Sequence, residues 1–124
     1  MKTLSGGCHC KAVRFEVDVD ECVIPLLDCN CSMCLATGFL HLIATQNAFR
    51  LLSGSDNLGE YRFGEGIARH LFCKTCGIKS FYVPRSHPDG YSVNARCLDD
   101  YASLSFAIEA FDGRNWEAAR ERLG

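Results

Sequence analysis

Nine cysteines stand out among 124 residues, and seven of them fall in three tight groups: Cys8-His9-Cys10, Cys29-Asn30-Cys31-Ser32-Met33-Cys34 and Cys73-Lys74-Thr75-Cys76. Thiolates at such spacings are soft metal ligands. In the last group, two intervening residues let a tight turn bring both sulfurs to about 2.3 Å from one ion. Gly77 follows and can take the positive φ that swings the chain away. Thioredoxin-like redox sites share this spacing, but they need a βαβ setting, and here strand-like residues lie on both sides. The number of cysteines is odd and residues 1–7 contain no apolar stretch of signal-peptide type, which favours metal ligation over a disulfide framework.

A structural zinc takes four ligands, and a knuckle supplies two. Cys8 and Cys10 are the natural complement, because side chains at i and i+2 of an extended segment share a face. Gly6 and Gly7 give this segment freedom to bend toward the ion. Closing a loop of about sixty residues costs roughly 4 kcal/mol from its length. Structural zinc binding contributes about 10–16 kcal/mol, so a zinc on Cys8, Cys10, Cys73 and Cys76 closes that loop readily.

Cys29, Cys31 and Cys34 offer three thiolates within six residues and no obvious fourth. Three protein ligands and an open position make a catalytic zinc. The alternatives are a closed site completed by His41 or Cys97, or no metal at all. Ser32 is placed to cap a short helical turn that aims Cys34 back at Cys29 and Cys31. Cys22 and Cys97, outside the groups, are expected to be ordinary buried thiols.

These ligands need a frame. Segments 12–18, 23–28, 39–44, 49–52, 61–63, 69–72, 79–83, 91–94 and 104–110 read as short strands, and residues 115–123 as a closing helix. Turn clusters at 53–57 and 87–90 punctuate the series. Strand signals recurring every 8–12 residues predict a mainly β sandwich or barrel-like fold. The length fits one domain, 1–124, and no repeat or linker interrupts it. A formal charge of -2 argues against a nucleic-acid footprint, and no apolar run approaches a membrane span. The expected compartment is the cytoplasm.

The three cysteine groups, with Gly6 and Gly7 before the first and Phe72 and Gly77 around the third, resemble the glutathione-dependent formaldehyde-activating enzyme (GFA) family. The resemblance runs from Gly6 to about Trp116. Ser80-Phe81-Tyr82-Val83-Pro84-Arg85-Ser86 and Cys97-Leu98-Asp99 look especially like the branch that includes centromere protein V. It implies an Mss4-like β-sheet fold stapled by zinc, with a short C-terminal helix. It also implies two Zn2+ per chain, structural on Cys8, Cys10, Cys73 and Cys76 and catalytic on Cys29, Cys31 and Cys34. The implied activity is that of a carbon–sulfur lyase making or breaking S-hydroxymethylglutathione from glutathione and formaldehyde, or acting on a related thiol adduct. Glutathione carries two carboxylates, which makes Arg85 and Arg96 candidate partners. Ser32 is a further substrate candidate, and His41 a candidate acid, base or ligand. The competing reading is a non-catalytic zinc module that binds a thiol ligand or a protein partner.

Overall fold

The computed structural model describes residues 2–115. Its regular elements are β1 (Lys2–Gly7), β2 (Arg14–Val19), β3 (Val23–Cys29), α1 (Ser32–Thr37), β4 (Leu40–Ala44) and β5 (Phe49–Ser53). They continue as β6 (Leu58–Tyr61), β7 (His70–Cys73), β8 (Phe81–Tyr82), β9 (Tyr91–Asn94) and β10 (Ser105–Phe111), with 3-10 turns between. The fold is mainly β, as the recurring strand signals predict. Three antiparallel strands form one sheet in the order β1-β2-β5, and five form another in the order β10-β3-β4-β9-β8. Strands β6 and β7 make a separate hairpin. Within the five-stranded sheet, β10 runs parallel to β3 and the other pairs are antiparallel.

Alternation explains the sheets. In β2, Phe15, Val17 and Val19 are buried while Arg14, Glu16 and Asp18 face outward, the period-2 pattern of a half-buried strand. Phe15 and Phe49 from the three-stranded sheet meet Phe81 from the five-stranded one, with ring centroids 4.8–6.2 Å apart. Val13, Ile24, Leu26 and Val93 join them in the main core.

Three expectations need correction. Strand β1 is unannounced, since Leu4 is its sole large apolar residue, and it forms by pairing along β2 from Lys2↔Val19 to Gly7↔Arg14. Gly6 and Gly7 lie inside this strand and serve close packing rather than bending. A Cβ on Gly6 would meet the Cys97 carbonyl oxygen at 2.6 Å, and one on Gly7 would overlap the Val13 carbonyl. The left-handed residue of the first turn is Lys11, at φ 69°. The strand expected at 61–63 lies earlier, because the ladder with β7 sets its register from Leu58↔Cys73 to Tyr61↔His70. Phe63 belongs instead to the connecting loop, where Gly64 and Gly66 take φ 60° and 72°. The closing helix expected at 115–123 lies outside the described residues except for Asn115, which ends a 3-10 turn. No described helix is long and apolar enough to cross a membrane.

Candidate metal centre

Cys8 follows β1, and Cys73 ends β7. Their sulfurs converge with those of Cys10 and Cys76, all four lying within 4.8 Å of one another. Cys10 Sγ is 3.6 Å from both Cys8 Sγ and Cys73 Sγ. Tetrahedral zinc–thiolate bonds would put the sulfurs about 3.8 Å apart, so the donor set fits a zinc ion. Backbone N–H groups support the sulfurs: Val13 N–H donates to Cys8 Sγ at 3.3 Å and Thr75 N–H to Cys73 Sγ at 3.4 Å. The Cys73 thiol is lowered to about 6, chiefly by the backbone N–H of Cys76. Gly77, at φ 77°, turns the chain as its position predicts, with its N–H donating to the Cys73 carbonyl at 2.8 Å.

The second cluster sits where β3 ends and α1 begins. Cys29 is the last residue of β3, and Cys31 rather than Ser32 is the N-cap, its sulfur accepting from the Cys34 N–H at 3.4 Å. This short helix returns Cys34 toward Cys29. His41 comes from β4, the strand next to β3, and it pairs in register with Leu27. Donor atoms of Cys29, Cys34 and His41 lie within 4.8 Å of one another, all buried. Cys31 interacts with both Cys29 and Cys34. Hydrogen bonds with Cys29 and Cys34 lower the Cys31 thiol, while those with Cys29 and Cys31 raise Cys34. Three such close thiols can share one negative charge; a cation among them would stabilise the other two as thiolates.

His41 is poised as a ligand. Its Nδ1 lies 2.8 Å from Ser92 Oγ, and its Nε2 lies 3.1 Å from Cys34 Sγ. With Nδ1–H donating to Ser92, the Nε2 lone pair faces the sulfurs, the arrangement in which a supporting hydrogen bond fixes a metal-binding imidazole. Burial lowers His41 to about 4, with Lys79's charge contributing next, which keeps the ring neutral. Of the two residues weighed as a fourth donor, the fold delivers His41. Cys97 is half-buried, raised to about 11 by burial, and its chain packs on Gly6, away from this cluster. Cys22 is exposed in the β2–β3 turn rather than buried.

A second tie comes from the C-terminal end of β10. Parallel pairing places Phe111 beside Cys29. The turn that follows is latched to Asn30, between two of the cysteines. Asn30 Nδ2–H donates to Asp112 Oδ1 at 3.0 Å, Arg114 N–H donates to Asn30 Oδ1 at 3.0 Å, and Arg114 Nε–H donates to the Asn30 carbonyl at 2.8 Å. Asn30 therefore orients the cysteine loop and does not line the cleft beside it. Gly113 packs so closely that a Cβ there would overlap Cys29 Sγ and approach Cys31 Cβ to 3.2 Å.

Cys29, Cys31, Cys34 and His41 open onto a cleft of about 580 Å³, whereas none of the first four cysteines lines it. Of the substrate candidates, Ser32, Arg85 and His41 line the cleft. Arg96 does not: it is exposed on the 3-10 turn Ala95–Cys97, and Arg114 supplies the second guanidinium instead. Sequence reasoning also passed over His70, Tyr82 and Glu65 of the cleft wall and the buried Lys79 behind it. Lys79 left no local signal: residues 79–84 are all buried, without the alternation that would single it out.

The sequence model of the family described as "Glutathione-dependent formaldehyde-activating enzyme" matches residues 3–114. Among solved structures, a Rhodobacter sphaeroides protein determined as a structural-genomics target is 34% identical, with a TM-score of 0.71. The match covers 84% of this chain and 100% of that one.

Proposed function

This chain belongs to the glutathione-dependent formaldehyde-activating enzyme family, and we infer from that premise that it is a zinc-dependent carbon–sulfur lyase acting on S-hydroxymethylglutathione or a related thiol adduct. One observation carries the reading: of the two thiolate clusters, the one made by Cys29, Cys31 and Cys34 faces the large cleft. In this reading Cys8, Cys10, Cys73 and Cys76 hold a structural zinc. Cys29, Cys31 and Cys34 hold the catalytic one, with His41 a further donor from the buried side. A zinc ion bound there supplies a lowered thiol pKa and polarisation of an aldehyde oxygen.

The protein's own groups do the rest. Glutathione bears two carboxylates and one ammonium, and the cleft wall bears two guanidiniums, Arg85 and Arg114, and one carboxylate, Glu65. Charge-assisted hydrogen bonds to these three groups would orient the tripeptide with its sulfur toward the cysteines. Ser32 offers a hydroxyl at the mouth of the cysteine loop. Phe63 and Ile67, from the β6–β7 loop, add exposed apolar wall to the same cleft.

The test is the exchange rate between free glutathione plus formaldehyde and their adduct, measured by magnetisation-transfer NMR on protein loaded with two zinc ions. Acceleration that saturates with glutathione supports the reading. A fully loaded protein that leaves the spontaneous rate unchanged sinks it. The presence of His41 beside three cysteines favours a second reading, a closed zinc in a module that binds a thiol ligand or protein partner. In that case the second ion would resist chelators as well as the first, and glutathione would not perturb it.

A further inference from the structure

Lys79 is an unusual residue to find inside this protein. It is 7% exposed, and its Nζ lies 3.9 Å from the centroid of the Tyr82 ring and 5.1 Å from that of Phe39. Two aromatic faces favour an ammonium over a neutral amine. Among the described residues no carboxylate pairs with it, and its side-chain hydrogen bond runs to His70 Nδ1 at 2.7 Å. Burial pulls Lys79 down to about 8, against the charges of Cys34, Cys31 and Cys29, so at pH 7 it remains mostly protonated.

An ammonium has only hydrogens to give. His70 Nδ1 must therefore be the bare nitrogen, since a second ring proton would set two cations 2.7 Å apart. The neutral ring carries its proton on Nε2. Among the described residues that group has no hydrogen-bond partner, yet no buried side-chain nitrogen or oxygen of theirs lacks one. Nε2 must then reach open space, and the space His70 lines is the cleft shared with Cys29, Cys31 and Cys34. The ring plane is held by stacking with Phe63, at 5.1 Å and 22°, and with Tyr82, at 5.0 Å and 12°.

From these contacts we propose that His70 Nε2–H is the oxygen-binding donor of the cleft, fixed in that tautomer by Lys79, and that it takes the carbonyl or hydroxymethyl oxygen of the substrate. The proposal rests on the carbon–sulfur reading above and assigns a role within it. As the adduct forms, the thiolate lone pair makes the C–S bond to the carbonyl carbon. The C=O π pair moves onto oxygen, which accepts the hydrogen bond from His70 and takes its proton from water in the cleft. His70 keeps its own proton throughout. In the reverse direction the hydroxyl proton returns to water, the C=O bond re-forms and sulfur leaves with the C–S pair. Lys79 touches no substrate and is a positioning residue.

The tautomer is read directly by long-range 15N–1H correlation NMR on labelled, zinc-loaded protein at pH 7, first without substrate. The expected ring is neutral, with the proton on Nε2, and Lys79→Met should turn it into a mixture of tautomers. An Nδ1–H ring or an imidazolium in the wild type overturns the proposal. Adding glutathione with formaldehyde should shift the Nε2–H resonance, whereas S-methylglutathione, which lacks the oxygen, should not. Adduct binding seen elsewhere in the cleft with Nε2–H unmoved also overturns it. His70→Phe should slow turnover by about 10²–10³-fold, the effect of removing one such donor, while His70→Gln, which retains an N–H, should recover part of the loss. Circular dichroism of both variants separates this from misfolding. A wild type that shows the tautomer and the shift but no turnover supports the donor and refutes the lyase reading. Turnover that survives in folded His70→Phe does the reverse.

Discussion

Gly113 is the residue where one methyl group should separate the two metal sites. A Cβ at this position would overlap Cys29 Sγ and sit 3.2 Å from Cys31 Cβ, where ordinary contact needs roughly 3.5–4.0 Å. Either Cys29 must retreat or the 112–114 turn must lift. The turn cannot lift freely, because Asp112 and Arg114 hold Asn30 through three hydrogen bonds. Losing two of these at about 0.5–1.5 kcal/mol each, or accepting about 1–3 kcal/mol of overpacking, gives a cost of about 1–3 kcal/mol. If that cost falls on the ligand geometry, affinity for the second zinc drops by about 5- to 150-fold in Gly113→Ala. The assay is zinc stoichiometry by native mass spectrometry together with release to a chromogenic chelator. The first zinc should stay and the second should leave faster. Gly64→Ala is the control: it is strained at φ 60° but has nothing within 4 Å of the added methyl, so it should leave both zinc ions in place. Unchanged release in a folded Gly113→Ala protein would refute the idea that this turn closes on the second centre.

Cys73→Ser should abolish cooperative folding, since structural zinc contributes about 10–16 kcal/mol against a typical domain stability of about 5–15 kcal/mol; Cys34→Ser should keep the β circular dichroism and lose one zinc. Arg85→Ala and Arg114→Ala should each raise KM for the glutathione adduct by about 10- to 100-fold, the range for a lost hydrogen bond to a charged group, whereas Arg96→Ala should leave it unchanged. His70 is lowered to about 4 by burial, so between pH 6.5 and 4 the unfolded chain binds more protons and stability falls as pH falls, by up to ~1.4 kcal/mol per pH unit from this group; urea titrations of His70→Gln should show a shallower acid slope than the wild type, and an equal slope would count against a buried neutral ring.

The candidate metal ligands were legible in the sequence because ligand spacing is local. The Cys73–Cys76 knuckle, Gly77 behind it and the Cys29–Cys34 group are each readable within a few residues. The strands were legible where apolar residues alternate, as in β2, and illegible where pairing alone makes them, as in β1. What could not be read is whatever depends on register between distant strands. His41 reaches Cys34 because β4 pairs with β3 at Leu27↔His41, and Gly113 reaches Cys29 because β10 runs parallel to β3 with Phe111 opposite Cys29. Arg114 rather than Arg96 enters the cleft for the same reason. Nothing local to either arginine distinguishes them.

Charge connects these features and accounts for the buried lysine. Three thiolates and a neutral imidazole around a divalent cation would leave one net negative charge at the second cluster, whose Cys29, Cys34 and His41 are buried at the base of the cleft wall. The Cys8, Cys10, Cys73 and Cys76 site would carry two, but it sits nearer solvent, with Cys10 exposed, where water and salt screen it. The donors of the second cluster are more buried, and Lys79 supplies one positive charge near them that no described carboxylate neutralises. A lysine buried against aromatic rings is costly unless an anion compensates, so the Cys29, Cys31 and Cys34 thiolates and Lys79 each make the other tolerable. Lys79→Met should therefore speed release of the second zinc and leave the first untouched. Equal release of both ions from wild type and variant would mean that the lysine is held for its link to His70 alone.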